Sequence, residues 1–555
     1  MKFTVKCRAG GYIIPVTIEP IENNLILSFP YNRAMVDEVK VMQRNSGGGW
    51  DAVRKVWVIA NSRRNLFALD ILMNGDMIKR YDSEINFTQT IEGFWHHQNL
   101  MYAFLKARHR CILAAEMRTG KTRPTLQVFY DSQWPVCWWV APKSALRGLE
   151  RELQKFTVPK GKQVIMFTYE GFKREIKLDP TALPGFVVFD ECQKLKTPSS
   201  ERSEMAQRLS DDLYDKYKGE EFVVGLSGTP APKDPSDWWN ICEIIQPGFV
   251  REGDINKFKR RYGMWEQREG VVGQMYWHLI QWNLDEINRL YNRLRPLVQV
   301  HLKKDCLDLP PIQYEIREFA PSKEVLAVAR AIADTETHVL TAVNKLRQLS
   351  DGFMYVKEYD EATNRENRHA EYVGSPKEVG LKEDLDNHED VGRLIVYAGF
   401  QGSVDLITKI CTEKGWWVLQ ADGRAWTVIK PNGHRSENGD LDAYSVDFCL
   451  SEFDGSTNTR TIPKLVFVAQ TDAAGTGLEL SSSPTIIYYS NSNNGEGRMQ
   501  SEARAHSANM DKQRGLTVID YIHLPTDKKI RDSLLNKKDL QAVSMGELRK
   551  AFAND

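Results

Sequence analysis

Arg110-Cys111-Ile112-Leu113-Ala114-Ala115-Glu116-Met117-Arg118-Thr119-Gly120-Lys121-Thr122 decides the reading of this chain. Its first six residues are a strand-like apolar run. Met117 to Thr122 then reads as the end of a phosphate-binding loop, and Thr125-Leu126-Gln127-Val128-Phe129 can open a helix behind it. Backbone amides of such a loop point at phosphate. Lys121 would neutralise the terminal phosphates, and the Thr122 hydroxyl would ligate Mg2+. The full pattern asks for a glycine where Ala115 stands, so the loop needs support from elsewhere. Val187-Val188-Phe189-Asp190-Glu191-Cys192-Gln193 supplies it: an apolar run, read as a buried strand, that ends in two carboxylates. Asp190 at its tip would hold the magnesium, and Glu191 would polarise the attacking water. The ordered pair predicts an NTPase that uses ATP and Mg2+.

The chain has 555 residues, too many for one core, so two or three domains are expected. Hydrophobic residues make up 42% and charged residues 27%, the balance of an ordinary globular protein. Formal net charge is zero, which leaves room for a local basic groove without predicting one. The eight cysteines are scattered, with no CxxC pair. They read as reduced core thiols, not as a metal site. No apolar run is long enough to cross a membrane, and no signal peptide is seen, so a cytoplasmic setting is expected.

Residues 1–86 read as a small α+β module with strands at Lys2 to Val5, Leu25 to Phe29 and Val56 to Ile59, and a helix over 34–44. Residues 87–310 alternate strand and helix patterns, as a doubly wound parallel sheet does. Its candidate strands are Val136 to Val140, Gln163 to Phe167, Phe186 to Phe189 and Phe222 to Leu226. Residues 311–540 hold a second alternating set with strands at Leu394 to Tyr397, Leu465 to Val468, Ile486 to Tyr489 and Thr517 to Asp520. Residues 325–350 read as helical, 355–392 as a charged, exposed connection, 424–460 as a polar surface insertion, and 541–555 as a tail. The expected fold class is α/β: two RecA-like doubly wound parallel-sheet lobes with an ATP cleft between them, plus the small N-terminal domain.

The order of motifs over about 87–540 resembles the Swi/Snf-type branch of superfamily two helicases. The residues that carry it include Gln98, Ala141-Pro142-Lys143-Ser144, Thr168-Tyr169-Glu170, Leu226-Ser227-Gly228-Thr229-Pro230 and Leu346-Arg347-Gln348. Further on come Ser375-Pro376-Lys377, Ala473-Ala474-Gly475-Thr476-Gly477-Leu478-Glu479-Leu480 and Gln500-Ser501-Glu502-Ala503-Arg504-Ala505-His506. The resemblance implies that Gln98 reads adenine, and that Met117 to Thr122, Gly475, Gln500 and Arg504 bind ATP. It implies Lys121, Asp190, Glu191 and Arg504 as the catalytic set. Ser227 and Thr229 would couple phosphate state to DNA. Lys143, Ser144, Thr168 and Gly475-Thr476-Gly477 would touch the DNA backbone, which carries no sequence information and so suits tracking.

The chain departs from that pattern in four places. Arg118 replaces a loop glycine, Gln193 stands where histidine is common, and Asn493-Asn494-Gly495 replaces Trp-Asn-Pro. Ser507 stands where a second arginine belongs, with Arg498 or Arg514 as candidate substitutes. The N-terminal module resembles the HARP-type domain of annealing helicases through Phe29-Pro30-Tyr31-Asn32, Trp50-Asp51 and Arg54-Lys55-Val56-Trp57. Trp50 and Trp57 suit either a stacking platform or the core of a small β domain. Arg33, Arg44, Arg54, Lys55, Arg63 and Arg64 are its candidate DNA cations, Arg54 and Lys55 foremost.

The expected function is an ATP-dependent double-stranded DNA translocase acting on branched or forked DNA, by annealing, branch migration or fork remodelling. Competing expectations are a conventional strand-separating helicase, for which the sequence offers no wedge, and an ATP-binding DNA scaffold, for which Ser507 speaks. Nucleosome remodelling is the weakest, because no histone-reading module is seen. Expected partners are duplex and branched DNA, with a single-stranded-DNA-binding or replication protein as a further candidate. The chain is expected to be a monomer in a prokaryotic or phage-infected cell.

Overall fold

A computed structural model describes residues 2–46, 48–74, 85–155, 158–172, 183–228, 235–250, 252–269, 274–335, 338–360, 365–431, 433, 435–436, 445–455, 460–471 and 478–535. These fall into two compact units that divide between Cys306 and Leu307.

The first unit opens with a five-stranded antiparallel sheet of β1 (Phe3–Ala9), β2 (Tyr12–Ile21), β3 (Asn24–Ser28), β4 (Gly48–Asp51) and β5 (Val56–Ala60), in the order β1-β2-β3-β5-β4. Alternate strand residues such as Cys7, Val16, Leu25 and Leu27 are buried beneath helices Arg33–Ser46 and Arg63–Asn74. Period-2 burial is what a sheet with one covered face requires.

The same unit holds a six-stranded parallel sheet: β6 (Arg110–Ala115), β7 (Val136–Ala141), β8 (Gln163–Thr168), β9 (Phe186–Asp190), β10 (Phe222–Ser227) and, later in the chain, β13 (Val298–His301). Its order is β13-β6-β10-β9-β7-β8. β6 and β10 are buried at every position, because helices cover both faces. Near-continuous apolar runs are the sequence mark of that arrangement. Arg110 is the polar exception. Its guanidinium donates to Glu221 at 2.6 Å and to the Ser210 hydroxyl and the Ile245 carbonyl at 2.9 Å each, so the buried charge is paired and hydrogen-bonded. A separate antiparallel hairpin, β11 (Gly263–Glu269) and β12 (Met275–Trp282), lies in neither sheet. The residue pattern there predicts no strand.

The second unit is built on an eight-stranded sheet of β14 (Gln313–Glu318), β17 (Arg393–Ala398), β18 (Trp417–Ala421), β19 (Trp426–Ile429), β20 (Arg435–Ser436), β21 (Leu465–Gln470), β22 (Thr485–Tyr488) and β23 (Thr517–Ile522). The order is β14-β23-β22-β17-β21-β18-β19-β20. The first six in that order pair in parallel, and β19 and β20 extend the edge antiparallel. Two parallel-sheet units therefore stand where two RecA-like lobes are expected.

Two connections differ from the sequence reading. Residues 355–392 are not an irregular linker: β15 (Phe353–Asp360) and β16 (Arg365–Tyr372) form a hairpin, and Pro376–Asn387 is a helix with a Ser375 capping box. The charges hid the hairpin because its apolar anchor is short, with Phe353 packed on Tyr355, Tyr372 and Phe400. Within 424–460, Trp426–Ile429 joins the sheet and Val446–Ser451 is helical, so this stretch is part of the fold and not wholly an insertion.

Among the described residues, no helix is long and apolar enough to cross a membrane. All eight cysteines are free, and all but Cys306 are buried.

Candidate nucleotide and nucleic-acid sites

Strand register brings the first unit's expected residues to one edge. Ser227 pairs with Ala114, Leu226 with Asp190, Val140 with Phe189, and Ala141 with Thr168. The loop after β6, the carboxylates after β9, and Lys143 and Thr168 after β7 and β8 thus share the C-terminal edge of one parallel sheet. That is where open α/β sheets bind ligands.

The loop is held from several sides. The Thr119 hydroxyl donates to the Glu116 carbonyl at 2.7 Å, and Glu116 N donates to the His301 carbonyl at 2.9 Å. A His97 ring nitrogen lies 2.8 Å from the Thr119 carbonyl. Gln98 donates to the Gly120 carbonyl at 3.2 Å and accepts from Trp95 N at 3.0 Å, so its amide ties the helix His96–Arg108 to the loop. Gly120 has φ +76°, a conformation that favours glycine, and a Cβ there would push the Gln98 amide away from the loop. Arg118 has φ +68°. The glycine that the resemblance asks for at this position is therefore explained by backbone geometry, and Arg118 bears a left-handed strain of about 1–2 kcal/mol. Thr122 opens the helix Thr122–Asp131 behind the loop.

Lys121 donates to the Ala115 carbonyl at 2.7 Å and the Glu116 carbonyl at 3.3 Å. Burial pushes its ammonium below the ordinary value, offset in part by Glu191, Asp190 and Glu116, which lie within electrostatic reach. Burial likewise pushes the Asp190 carboxyl up, and Lys121 and the Trp139 indole N–H, 3.4 Å away, pull it back. Glu191 has φ +52°, a second strained non-glycine residue at this edge. Its carboxylate accepts from Gln193 at 2.6 Å, and Gln193 in turn accepts from the Ser227 hydroxyl. The sequence marked Gln193 only as a departure. The structure makes it the bridge from Glu191 to Ser227 at the end of β10. Gly228 lies against the loop, where a Cβ would meet Met117 Cγ at 3.0 Å.

The described residues contain no cluster of three or more His, Cys, Asp or Glu groups fit to cage a metal. One half-buried carboxylate and one threonine hydroxyl are instead what Mg2+ needs when nucleotide phosphates and water supply its other ligands. Asp190 and Thr122 would hold it.

In the second unit, Gln500 and Arg504 lie on the helix Gly495–Ala505. Gln500 donates to Glu496 at 3.2 Å, and the buried Arg504 donates to the Tyr397 hydroxyl at 3.3 Å. Ser507 is buried and donates to Glu479. Arg498 is committed elsewhere: it grips Asp520 through two nitrogens at 2.6 and 2.8 Å, pairs with Glu502 at 3.0 Å and stacks on Tyr488. Arg514 is half-exposed beside Asp511. Lys377 is fully buried between Asp351 at 3.1 Å and Asp527 at 3.2 Å. Burial alone would lower its ammonium, but the two carboxylates hold it above the ordinary value. Thr229, Gly475, Thr476, Gly477 and the Ser144 side chain lie outside the described residues.

On the N-terminal sheet, Trp50 and Trp57 pair across β4 and β5 with ring centroids 5.2 Å apart. Trp50 is half-exposed and Trp57 packs toward the core. Arg54 and Lys55 are exposed at the turn beside them. Arg63 and Arg64 are not exposed DNA cations, contrary to the sequence reading. Arg63 lies 4.2 Å over the Tyr214 ring and donates to the Ser210 carbonyl, and Arg64 pairs with the buried Glu243. Phe67 stacks on Phe249 beside them, so the helix Arg63–Asn74 docks on the helices flanking the parallel sheet.

An α/β fold of two RecA-like parallel-sheet units is the class these observations define. Residues 131–366 match the family described as SNF2-related domain. The chain is 22% identical over 543 residues to the CHD3-type chromatin-remodeling factor CHR7 of Arabidopsis thaliana, covering 88% of this chain and 40% of that protein. It is 19% identical over 456 residues to the DNA repair and recombination protein RAD54-like of Homo sapiens, covering 69% and 56%. The chain thus spans about half the length of these curated relatives, or less. Family match and relatives together support the Snf2-type branch of superfamily two. Among solved structures, the Sulfolobus solfataricus SWI2/SNF2 ATPase core in complex with dsDNA is similar at 19% identity, with a TM-score of 0.34. That similarity covers 84% of this chain and 97% of the other.

Proposed function

We propose that this protein is an ATP-dependent double-stranded DNA translocase that acts on branched or forked DNA. The observation that carries the ATPase reading is the shared sheet edge of Lys121, Asp190 and Glu191, with Gln193 linking Glu191 to Ser227. Lys121 would neutralise the terminal phosphates, Thr122 and Asp190 would hold an Mg2+ ion that supplies further positive charge there, Glu191 would orient the attacking water, and Arg504 would add positive charge. The relatives named for chromatin remodelling and DNA repair support DNA as the track. Lys143, Ser144, Thr168 and Gly475 to Gly477 are the proposed backbone contacts. The HARP-like reading of the N-terminal module is supported by half-exposed Trp50 beside exposed Arg54 and Lys55, a stacking platform with phosphate-binding cations.

The test is ATP hydrolysis without DNA and with single-stranded, duplex and forked DNA. Strong stimulation by duplex or fork is expected, falling about 100-fold or more in Lys121→Ala, Glu191→Gln and Arg504→Ala. No hydrolysis on any DNA would sink the motor and leave an ATP-binding scaffold. Trp50→Ala with Arg54→Ala and Lys55→Ala is a better probe of fork preference than removing residues 1–86, which would strip Arg64 from buried Glu243 and Phe67 from Phe249.

A further inference from the structure

The turn that leads into the helix His96–Arg108 is pinned on both sides of the phosphate loop. On one side, the Trp95 carbonyl accepts from Gln98 N at 3.0 Å, from Asn99 N at 3.1 Å and from the Asn99 amide at 3.2 Å. The Asn99 side-chain oxygen accepts in turn from Ile91 N at 2.7 Å. On the other side, Arg123 follows Thr122 at the start of the helix behind the loop. It donates to the Gly93 carbonyl at 2.6 Å and lies 4.9 Å over the Phe94 ring.

This fixed backbone presents an open ring. Trp95 is 47% exposed, although it packs tilted on His97 with centroids 5.5 Å apart. It borders the loop, since a Cβ on Gly120 would lie 3.8 Å from Trp95 Cζ3. The loop selects the occupant. A nucleoside triphosphate whose terminal phosphates lie at Lys121 carries its base beside the loop, a ribose and one phosphate away. Gln98 does not offer its amide there. It is 4% exposed, its oxygen accepts from Trp95 N at 3.0 Å, and its nitrogen donates to the Gly120 carbonyl at 3.2 Å. An amide reads adenine through both of those atoms together, so reading would break both ties. Stacking needs only a flat aromatic face, which Trp95 has to spare.

We propose that Trp95 is the nucleobase platform of this site: the base of the bound nucleotide stacks on its indole, while Gln98 holds the loop and leaves the base unread. Resting on the reading of the loop as an ATP site, this assignment makes base selection weak. Every base has a π-face, whereas a site that hydrogen-bonds its substrate rejects an analogue lacking the group by about 10,000-fold or more.

The full-length protein is titrated calorimetrically, in Mg2+, with the β,γ-imido analogues of ATP and GTP and with inorganic tripolyphosphate, which has no base. The unsubstituted protein should bind the two nucleotides within about tenfold of each other. Trp95→Ala should weaken both about 5- to 100-fold and leave tripolyphosphate binding unchanged, which also shows that the loop is folded. Trp95→Phe should restore most of the loss. Gln98→Ala should weaken all three ligands by a similar factor, because it frees the loop. Unchanged nucleotide affinity in Trp95→Ala would overturn the proposal. So would equal loss of all three ligands in that variant, which would make Trp95 a support of the loop. A preference for ATP that Gln98→Ala abolishes, with tripolyphosphate binding intact, would give the base to Gln98 and overturn it as well. Failure of the ATP-site reading is separate: none of the three ligands would bind the unsubstituted protein, and the platform would fall with it.

Discussion

The C-terminal edge of the first sheet and the core of the second unit treat charge in opposite ways. At the first sheet's edge, the Lys121 ammonium rests on two carbonyls and the Asp190 carboxylate on an indole and an amide N–H. In the second unit, Lys377 lies between two carboxylates, Arg498 grips Asp520, and Arg393 is closed against Glu452. Groups held by neutral dipoles are ready to trade partners for a phosphate or a metal. Groups closed in buried ion pairs hold a structure together. Motif membership alone does not separate the two: Lys377 and Lys121 both sit in motifs of the resemblance, yet their surroundings differ.

The sharpest way to break this comparison is to remove each lysine's charge and measure denaturation. Lys377→Met strands Asp351 and Asp527 in the core and should cost the second unit about 3–5 kcal/mol. Lys121→Met should change stability by no more than about 1 kcal/mol, because its partners are carbonyls. Equal losses would show that the first edge is structural as well.

A smaller effect tests the first unit's own buried carboxylate. Burial pushes Glu243 up to about 6 from 4.5, against the pull of Arg64 and the Gly248 N–H. The folded state therefore binds the proton more tightly than the unfolded chain. Stability from this group is full below about pH 4.5 and falls by about 2 kcal/mol as pH rises through about 6. Glu243→Gln should flatten that segment of the stability profile, and an unaltered slope would place the titration elsewhere.

The smallest expected change sharpens the coupling at the first edge. Gln193→Ala cuts the link from Glu191 to Ser227 and should lower DNA-stimulated hydrolysis about tenfold while ATP affinity changes little. A drop in ATP affinity with turnover intact would make Gln193 a binding residue instead.

The sequence by itself determined the two alternating units, five of the six strands of the first sheet, four of the eight of the second and the loop, because buried parallel strands are long apolar runs and phosphate loops are contiguous. It missed β13 in the first sheet and β14, β18, β19 and β20 in the second. It could not find the hairpin at Gly263–Trp282, where polar and aromatic residues mix without a clean period, or the one at Phe353–Tyr372, which charges disguise. Nor could it tell which cations are spent. Arg63 and Arg64 read as surface bases until Tyr214 and Glu243, distant in sequence, are seen to take them. Arg498 read as a candidate finger until Asp520 closed on it. Motifs are local and legible along a chain, whereas the satisfaction of a charge depends on partners that only packing brings together.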